Sequence, residues 1–70
     1  MNIIINGNET IVTDEITINS LLIERKVKMP EMVSVELNGE IVDRDLFSEI
    51  FLKSGDQVEL IYFMGGGLEK

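Results

Sequence analysis

The sequence predicts a single α+β domain: a mixed sheet of about five strands packed on one main helix. Three observations carry that expectation. Short β-branched or alternating segments are joined in pairs at Asn6-Gly7 and Asn38-Gly39, the stretch between the two pairs has helical spacing, and one more strand-like run closes the patterned part of the chain. The resulting order of two strands, a helix, two strands, a short helical turn and a last strand is neither a plain meander nor a series of βαβ units. A sheet wrapped over one helix is the simplest way to bury all the apolar faces.

Asn2 to Ile5 is β-branched, Asn6-Gly7-Asn8 suits a tight turn, and Glu9 to Thr13 resumes a strand pattern, which reads as a hairpin. Asp14-Glu15 turns the chain. Thr17 is placed to cap a helix in which Ile18, Leu21 and Leu22 share one face, and that helix is expected to span about Ile18 to Lys26, ending before Pro30. Val33 to Leu37 alternates apolar with polar, Asn38-Gly39 turns, and Glu40 to Val42 returns as a second hairpin. Leu46, Phe47, Ile50 and Phe51 stand at helical spacing over barely two turns, so Asp45 to Leu52 reads as a short helical or 3₁₀ crossover. Gly55-Asp56 then turns into a last strand, Gln57 to Phe63. The expected core is Ile3, Ile5, Val33, Val35, Leu37, Val58 and Leu60 against Leu21 and Leu22.

Seventy residues without a Pro/Gly/Ser-rich linker leave room for one core. A chain this short buries only about 60% of its unfolded surface, so it depends on regular sheet and helix to stay folded. It has neither cysteine nor histidine, which removes disulfides, thiolate chemistry, the usual general base and the commonest metal ligands; an autonomous enzyme is not expected. Thirteen acidic residues against six basic give a net charge of −7, which repels nucleic acid and anionic membranes and favours partners with basic surfaces. The opening Met1-Asn2-Ile3-Ile4-Ile5 lacks the basic region and the length of a signal peptide, and no run approaches membrane-spanning length, so a soluble, cytoplasmic protein is expected.

Chemistry is expected at the end of the chain. Gly65-Gly66-Gly67 follows the last strand directly and forms a strip without side chains, thin enough to thread a narrow channel whose walls would collide with any Cβ. A phosphate-cradling loop would need a following helix, and only three residues remain. Ile4, Ile61 and Phe63 fall on the strand faces turned away from the helix, and Met64 extends the apolar character toward the tail; together they are candidates for a partner-docking patch. The carboxylates Asp14-Glu15, and Asp43 with Asp45 around Arg44, lack the spacing of a metal loop and read as solvated turns, with Arg44 free to pair with a neighbouring or partner acid.

Val35-Glu36-Leu37-Asn38-Gly39-Glu40-Ile41-Val42, then Gly55-Asp56-Gln57-Val58-Glu59-Leu60, then the terminal glycines, resemble the ThiS family of sulfur carriers of thiamine biosynthesis over essentially Met1 to Gly67. The resemblance implies a ubiquitin-like β-grasp fold for residues 1–67, the same architecture the pattern suggests. It further implies that the Gly67 carboxylate is adenylated by a ubiquitin-activating-type enzyme using ATP and magnesium. A cysteine desulfurase or other donor then supplies the sulfur that makes a thiocarboxylate, and thiazole synthase takes it up. Gly65 and Gly66 would thread the tail, Gly67 would carry the reactive carbonyl, and the chain itself would bind no cofactor. Two departures stand out. Asp43 sits where the family commonly has proline, and Leu68-Glu69-Lys70 ties the Gly67 carboxylate into a peptide bond, which reads as an expression remnant or a tail removed by a peptidase. A molybdopterin-type sulfur carrier, a ubiquitin-like modifier and a plain interaction module share parts of this pattern and stand as alternatives.

Overall fold

Both Asn-Gly pairs close hairpins. Asn6 and Gly7 have φ of 50° and 85°, Asn38 and Gly39 of 53° and 89°. Two successive left-handed residues are what a type I′ turn needs, and Asn-Gly adopts them at least strain. In the computed structural model, which describes residues 1–62, the first turn joins β1 (Asn2–Ile5) to β2 (Asn8–Ile11) and the second joins β3 (Val33–Leu37) to β4 (Glu40–Ile41). The last strand, β5 (Gln57–Tyr62), enters between the hairpins, parallel to β1 and antiparallel to β3, giving the order β2-β1-β5-β3-β4. The sheet is therefore mixed and five-stranded, as predicted. Phe63, assigned to the last strand from sequence, lies outside the described residues.

β2 and β4 are shorter than the sequence reading of Glu9–Thr13 and Glu40–Val42. At the end of β2 the chain turns inward to bury Val12, whose carbonyl accepts from the Met1 ammonium at 2.8 Å, and Asp14 pairs with that ammonium at 2.9 Å. At β4, Val42 makes one last bond to the Val35 carbonyl, after which the chain tightens into a 3₁₀ turn at Arg44–Leu46.

The helix α1 (Ile18–Glu24) has every orphan amide of its first turn satisfied. Ile18 N–H donates to the Ile50 carbonyl at 3.2 Å, Asn19 N–H to the Phe47 carbonyl at 2.9 Å, and Ser20 N–H to the Thr17 hydroxyl at 3.1 Å, so Thr17 caps as predicted. The helix ends two residues before the expected Lys26. Lys26 turns left-handed at φ 55°, its N–H donates to the Ile23 carbonyl, and Val27 N–H donates to the Leu22 carbonyl. This is a Schellman stop with Lys where glycine is usual, and it lets half-buried Val27 fold back onto the core.

The 3₁₀ alternative holds for the start of the crossover from β4 to β5, at Arg44–Leu46, but the helical pattern does not run on to Leu52. The carbonyls of Phe47 and Ile50 are committed to the amides of α1, and Leu52 N–H bonds to the Ile16 carbonyl at 2.8 Å. Helical spacing therefore fails here: Phe47 and Leu52 are buried and Ile50 is half-buried, while Leu46 and Phe51 are exposed. Among the described residues Arg44 pairs with no acid. It donates to the carbonyls of Pro30 at 2.9 Å and Val33 at 2.7 Å and lies over the Phe47 ring, which ties the crossover to the start of β3.

Ile3, Ile5, Val33, Val35 and Val58 from the sheet meet Ile18, Leu21 and Leu22 from α1, and Val12, Ile16, Phe47 and Leu52 close the core from the connections. Leu37 and Leu60, expected in the core, are only half-buried against it: Leu37 is the last residue of β3, and Leu60 lines an open cleft with Arg25 and Val27 past the end of the seven-residue helix. Leu21 has no exposed surface. Leu21→Ala is expected to lower the unfolding free energy by about 2–5 kcal/mol in chemical denaturation, from lost burial and the cavity left behind. Two glycine substitutions at left-handed residues should move stability in opposite directions. Lys26→Gly relieves backbone strain and should raise the urea midpoint, by up to about 1 kcal/mol of stability. Asn6→Gly keeps the turn but deletes the side-chain oxygen that accepts from Leu60 N–H at 2.8 Å, and should lower stability by about 1 kcal/mol.

Candidate functional site

Side chains from both hairpin turns hold β5, one at its start and one farther along. On the β1 side, Asn6 Oδ1 accepts from Leu60 N–H at 2.8 Å and so continues the parallel ladder beyond the last residue of β1. On the β3 side, Asn38 Oδ1 accepts from Gln57 N–H at 2.9 Å, and Asn38 Nδ2 donates to Asp56 at 3.1 Å. The Asp56 carboxylate in turn accepts from Lys53 N–H at 2.8 Å, which fixes the turn leading into the strand. The same asparagines that supply the left-handed turn conformation therefore also grip the strand that precedes the tail. Sequence reading assigned them only to turns; contacts across 54 and 19 residues leave no local signal.

Alternation along the strands sorts the sheet into two faces. Ile3, Ile5, Val33, Val35 and Val58 point to the helix, and Ile4, Ser34, Glu36, Gln57, Glu59 and Ile61 share the outer face. Ile4 and Ile61 are both half-buried there. They are not neighbours: Ile4 pairs with Gln57, four residues before Ile61 and about 13 Å away along a strand. Between them Glu59 stands directly opposite Glu36 on β3. Two further outer-face residues were not singled out from the sequence, Ile11 on edge strand β2 and Ile41 on edge strand β4, which are 79% and 64% exposed. Their signal was present in the alternation, but only the register shows that they share a face with Ile4 and Ile61.

Ile61 stands near the end of the central strand, next to Tyr62 and the start of the tail. The remaining candidates, Phe63, Met64, Gly65, Gly66 and Gly67, lie outside the described residues. Among the described residues no group of three or more acidic side chains converges as a metal site would require, and no helix is long and apolar enough to cross a membrane.

Comparison with known proteins gives this geometry a family. Residues 3–67 match the ThiS family. The crystal structure of a thiamine biosynthesis protein (ThiS) from Geobacter metallireducens superposes with a TM-score of 0.87 at 43% identity, covering 96% of this chain and all of that one. A solution structure of a thiamine biosynthesis protein from the same organism gives 0.80 at 42% identity, over all of this chain and 92% of that one. Two curated relatives are much longer. A thiazole synthase of Paramagnetospirillum magneticum is 34% identical over all 70 residues, which make up 21% of its length. A thiazole synthase of Magnetococcus marinus is 42% identical over 38 residues, 54% of this chain and 12% of that protein. The chain thus spans about a fifth or less of the curated relatives it matches. One helix on a mixed five-stranded sheet with the final strand at its centre, together with a family match from residue 3 to residue 67, places this chain in the ThiS family, with the β-grasp fold of its structural neighbours.

Proposed function

We propose that this chain is a sulfur carrier for thiazole formation in thiamine biosynthesis, acting as a protein co-substrate whose reactive group is the carboxylate of Gly67. The observation that carries the reading is the position of β5. It is the central strand, paired on both sides and held by Asn6 and Asn38, and it leads after Tyr62 into the segment that holds Gly65-Gly66-Gly67. Membership of the ThiS family and the similarity to proteins named thiazole synthase support the same reading.

The chemistry follows from the poor electrophilicity of a free carboxylate. An activating enzyme joins the Gly67 carboxylate to the α-phosphorus of ATP, with magnesium neutralising the phosphates and pyrophosphate leaving. The acyl adenylate has AMP as a good leaving group: hydrosulfide displaces it directly to the thiocarboxylate, whereas a cysteine desulfurase's persulfide displaces it to an acyl disulfide, which a thiol reductant cleaves to release the thiocarboxylate. The thiocarboxylate formed then delivers its sulfur to a thiazole synthase. Glycine at 65 and 66 removes the Cβ atoms that would block a narrow channel. A partner approaching along the outer face would meet Ile61 near the start of the tail and Ile4 farther back, and Phe63 and Met64 follow Ile61 in the sequence as its further docking candidates. It would also meet Glu59 beside Glu36, a like-charge pair that disfavours the isolated sheet slightly and favours a basic partner surface. Residues 68–70 must be absent or removed before Gly67 can react.

Truncation after Gly67 is expected to permit adenylation and then conversion to a thiocarboxylate, seen in intact-mass analysis as one oxygen exchanged for one sulfur after incubation with activating enzyme, ATP and sulfur donor. The seventy-residue chain should stay uncharged unless a peptidase is supplied. Gly66→Val in the truncated chain should fold normally yet charge poorly, since a β-branched side chain both stiffens and widens the strip. Charging of the intact chain at its own Lys70 carboxylate would reject Gly67 as the reactive residue.

A further inference from the structure

On the inner side of the sheet, past the C-terminal end of α1, an open cleft of about 270 Å³ lies between β2 and the end of β5. Its polar lining comes from Asn6, Asn8, Thr10, Arg25 and Tyr62, over apolar side chains that include Leu60. None of its lining residues is acidic, in a chain with thirteen acidic residues, and Arg25 is its one charged group. The Arg25 side chain makes no ion pair or hydrogen bond among the described residues, where the only ion pair joins Met1 to Asp14. The hydrogen bond from Leu60 N–H to Asn6 Oδ1 fixes that amide and leaves its NH₂ group as a donor. With the Asn8 amide and the Tyr62 hydroxyl, the lining is rich in donors around one guanidinium, a set that suits a carboxylate held in bidentate fashion.

We propose that this cleft docks an acidic side chain of the thiazole synthase that takes up the tail, so that the synthase straddles the end of β5 with its other contacts on the outer face. The inference rests on the carrier reading above. The reach of the tail makes the argument: Tyr62 lines the cleft, and Gly67 is only five positions farther along the chain, a span of at most about 18 Å. A protein that binds Gly67 must therefore lie beside this end of the sheet. The inner side offers it a lone cation while the outer side offers Glu36 and Glu59, so the two faces select opposite charges and define the orientation of docking.

The test is calorimetric binding of the full chain, Arg25→Gln, Arg25→Lys and Phe63→Glu to the thiazole synthase of the same organism, with thermal unfolding of each. Arg25→Gln should bind roughly tenfold more weakly with an unchanged unfolding midpoint, and Arg25→Lys should recover only part of the loss because an ammonium lacks the planar fork. Parent-like affinity of Arg25→Gln alongside weakened Phe63→Glu overturns the cleft proposal and leaves the carrier docking intact. Absence of binding by the parent chain overturns both. A third outcome also overturns it: inorganic phosphate shifting the Asn8 and Tyr62 amide resonances saturably, in the parent but not in Arg25→Gln, while synthase affinity ignores the substitution. The cleft would then be a site for small anions.

Discussion

Everything in this molecule depends on the insertion of β5 between two hairpins that come earlier in the chain. β1 and β3 do not touch in the sheet order, so each depends on β5 for its second row of backbone partners. The strand nearest the end of the chain is thus the one that makes the sheet continuous. Its inward residue Val58 is fully buried, and its register with β3 runs over five residue pairs from Val33↔Tyr62 to Leu37↔Val58. The pairing of β1 with β5 joins residues more than fifty positions apart, so the closing contact of the fold is also among its most distant in sequence.

A central last strand has a consequence for the tail. A strand at a sheet edge can fray; β5 is paired on both sides at Gln57 and Val58, the Asn6 amide extends the β1 side to Leu60, and β3 alone carries the pairing on to Tyr62, opposite Val33. The tail therefore starts from a fixed point. On the proposed carrier reading, such a base would suit delivery of the Gly67 carboxylate into another protein, because few residues separate it from Tyr62.

Backbone strain lies on both sides of α1, at Glu15 with φ 58° in the turn before it and at two residues where it hands over to β3. Lys26 and Met29 both adopt left-handed conformations without being glycine or asparagine, at φ 55° and 52°. Lys26 ends the helix after seven residues; Met29 precedes Pro30, whose 3₁₀ turn leads into β3. The short helix leaves the end of the sheet uncovered on its inner side, and the cleft lined by Arg25 and Tyr62 occupies that gap. A longer helix, as the apolar spacing alone would allow, would extend over the same space.

By itself the sequence determined the local elements, because their signals are local: Asn-Gly at two turns, Thr17 three residues before the amide it caps, Ile18, Leu21 and Leu22 on one helical face, and strict alternation through Val33 to Leu37. The family motifs likewise lie in short continuous runs. Tertiary structure decided the rest. Helical spacing in Leu46, Phe47, Ile50 and Phe51 made only a 3₁₀ turn at Arg44–Leu46, since the carbonyls of Phe47 and Ile50 satisfy the amides of α1 instead of their own segment. Arg44 bonds to the Pro30 and Val33 carbonyls, and Leu60 stops short of full burial because it faces the cleft left where the helix ends early. Ile4 and Ile61 share a face but not a neighbourhood, because that depends on the register of β1 with β5. Each of these outcomes turns on a contact between segments remote in the chain, and a period or a turn motif encodes only what lies within a few residues of itself.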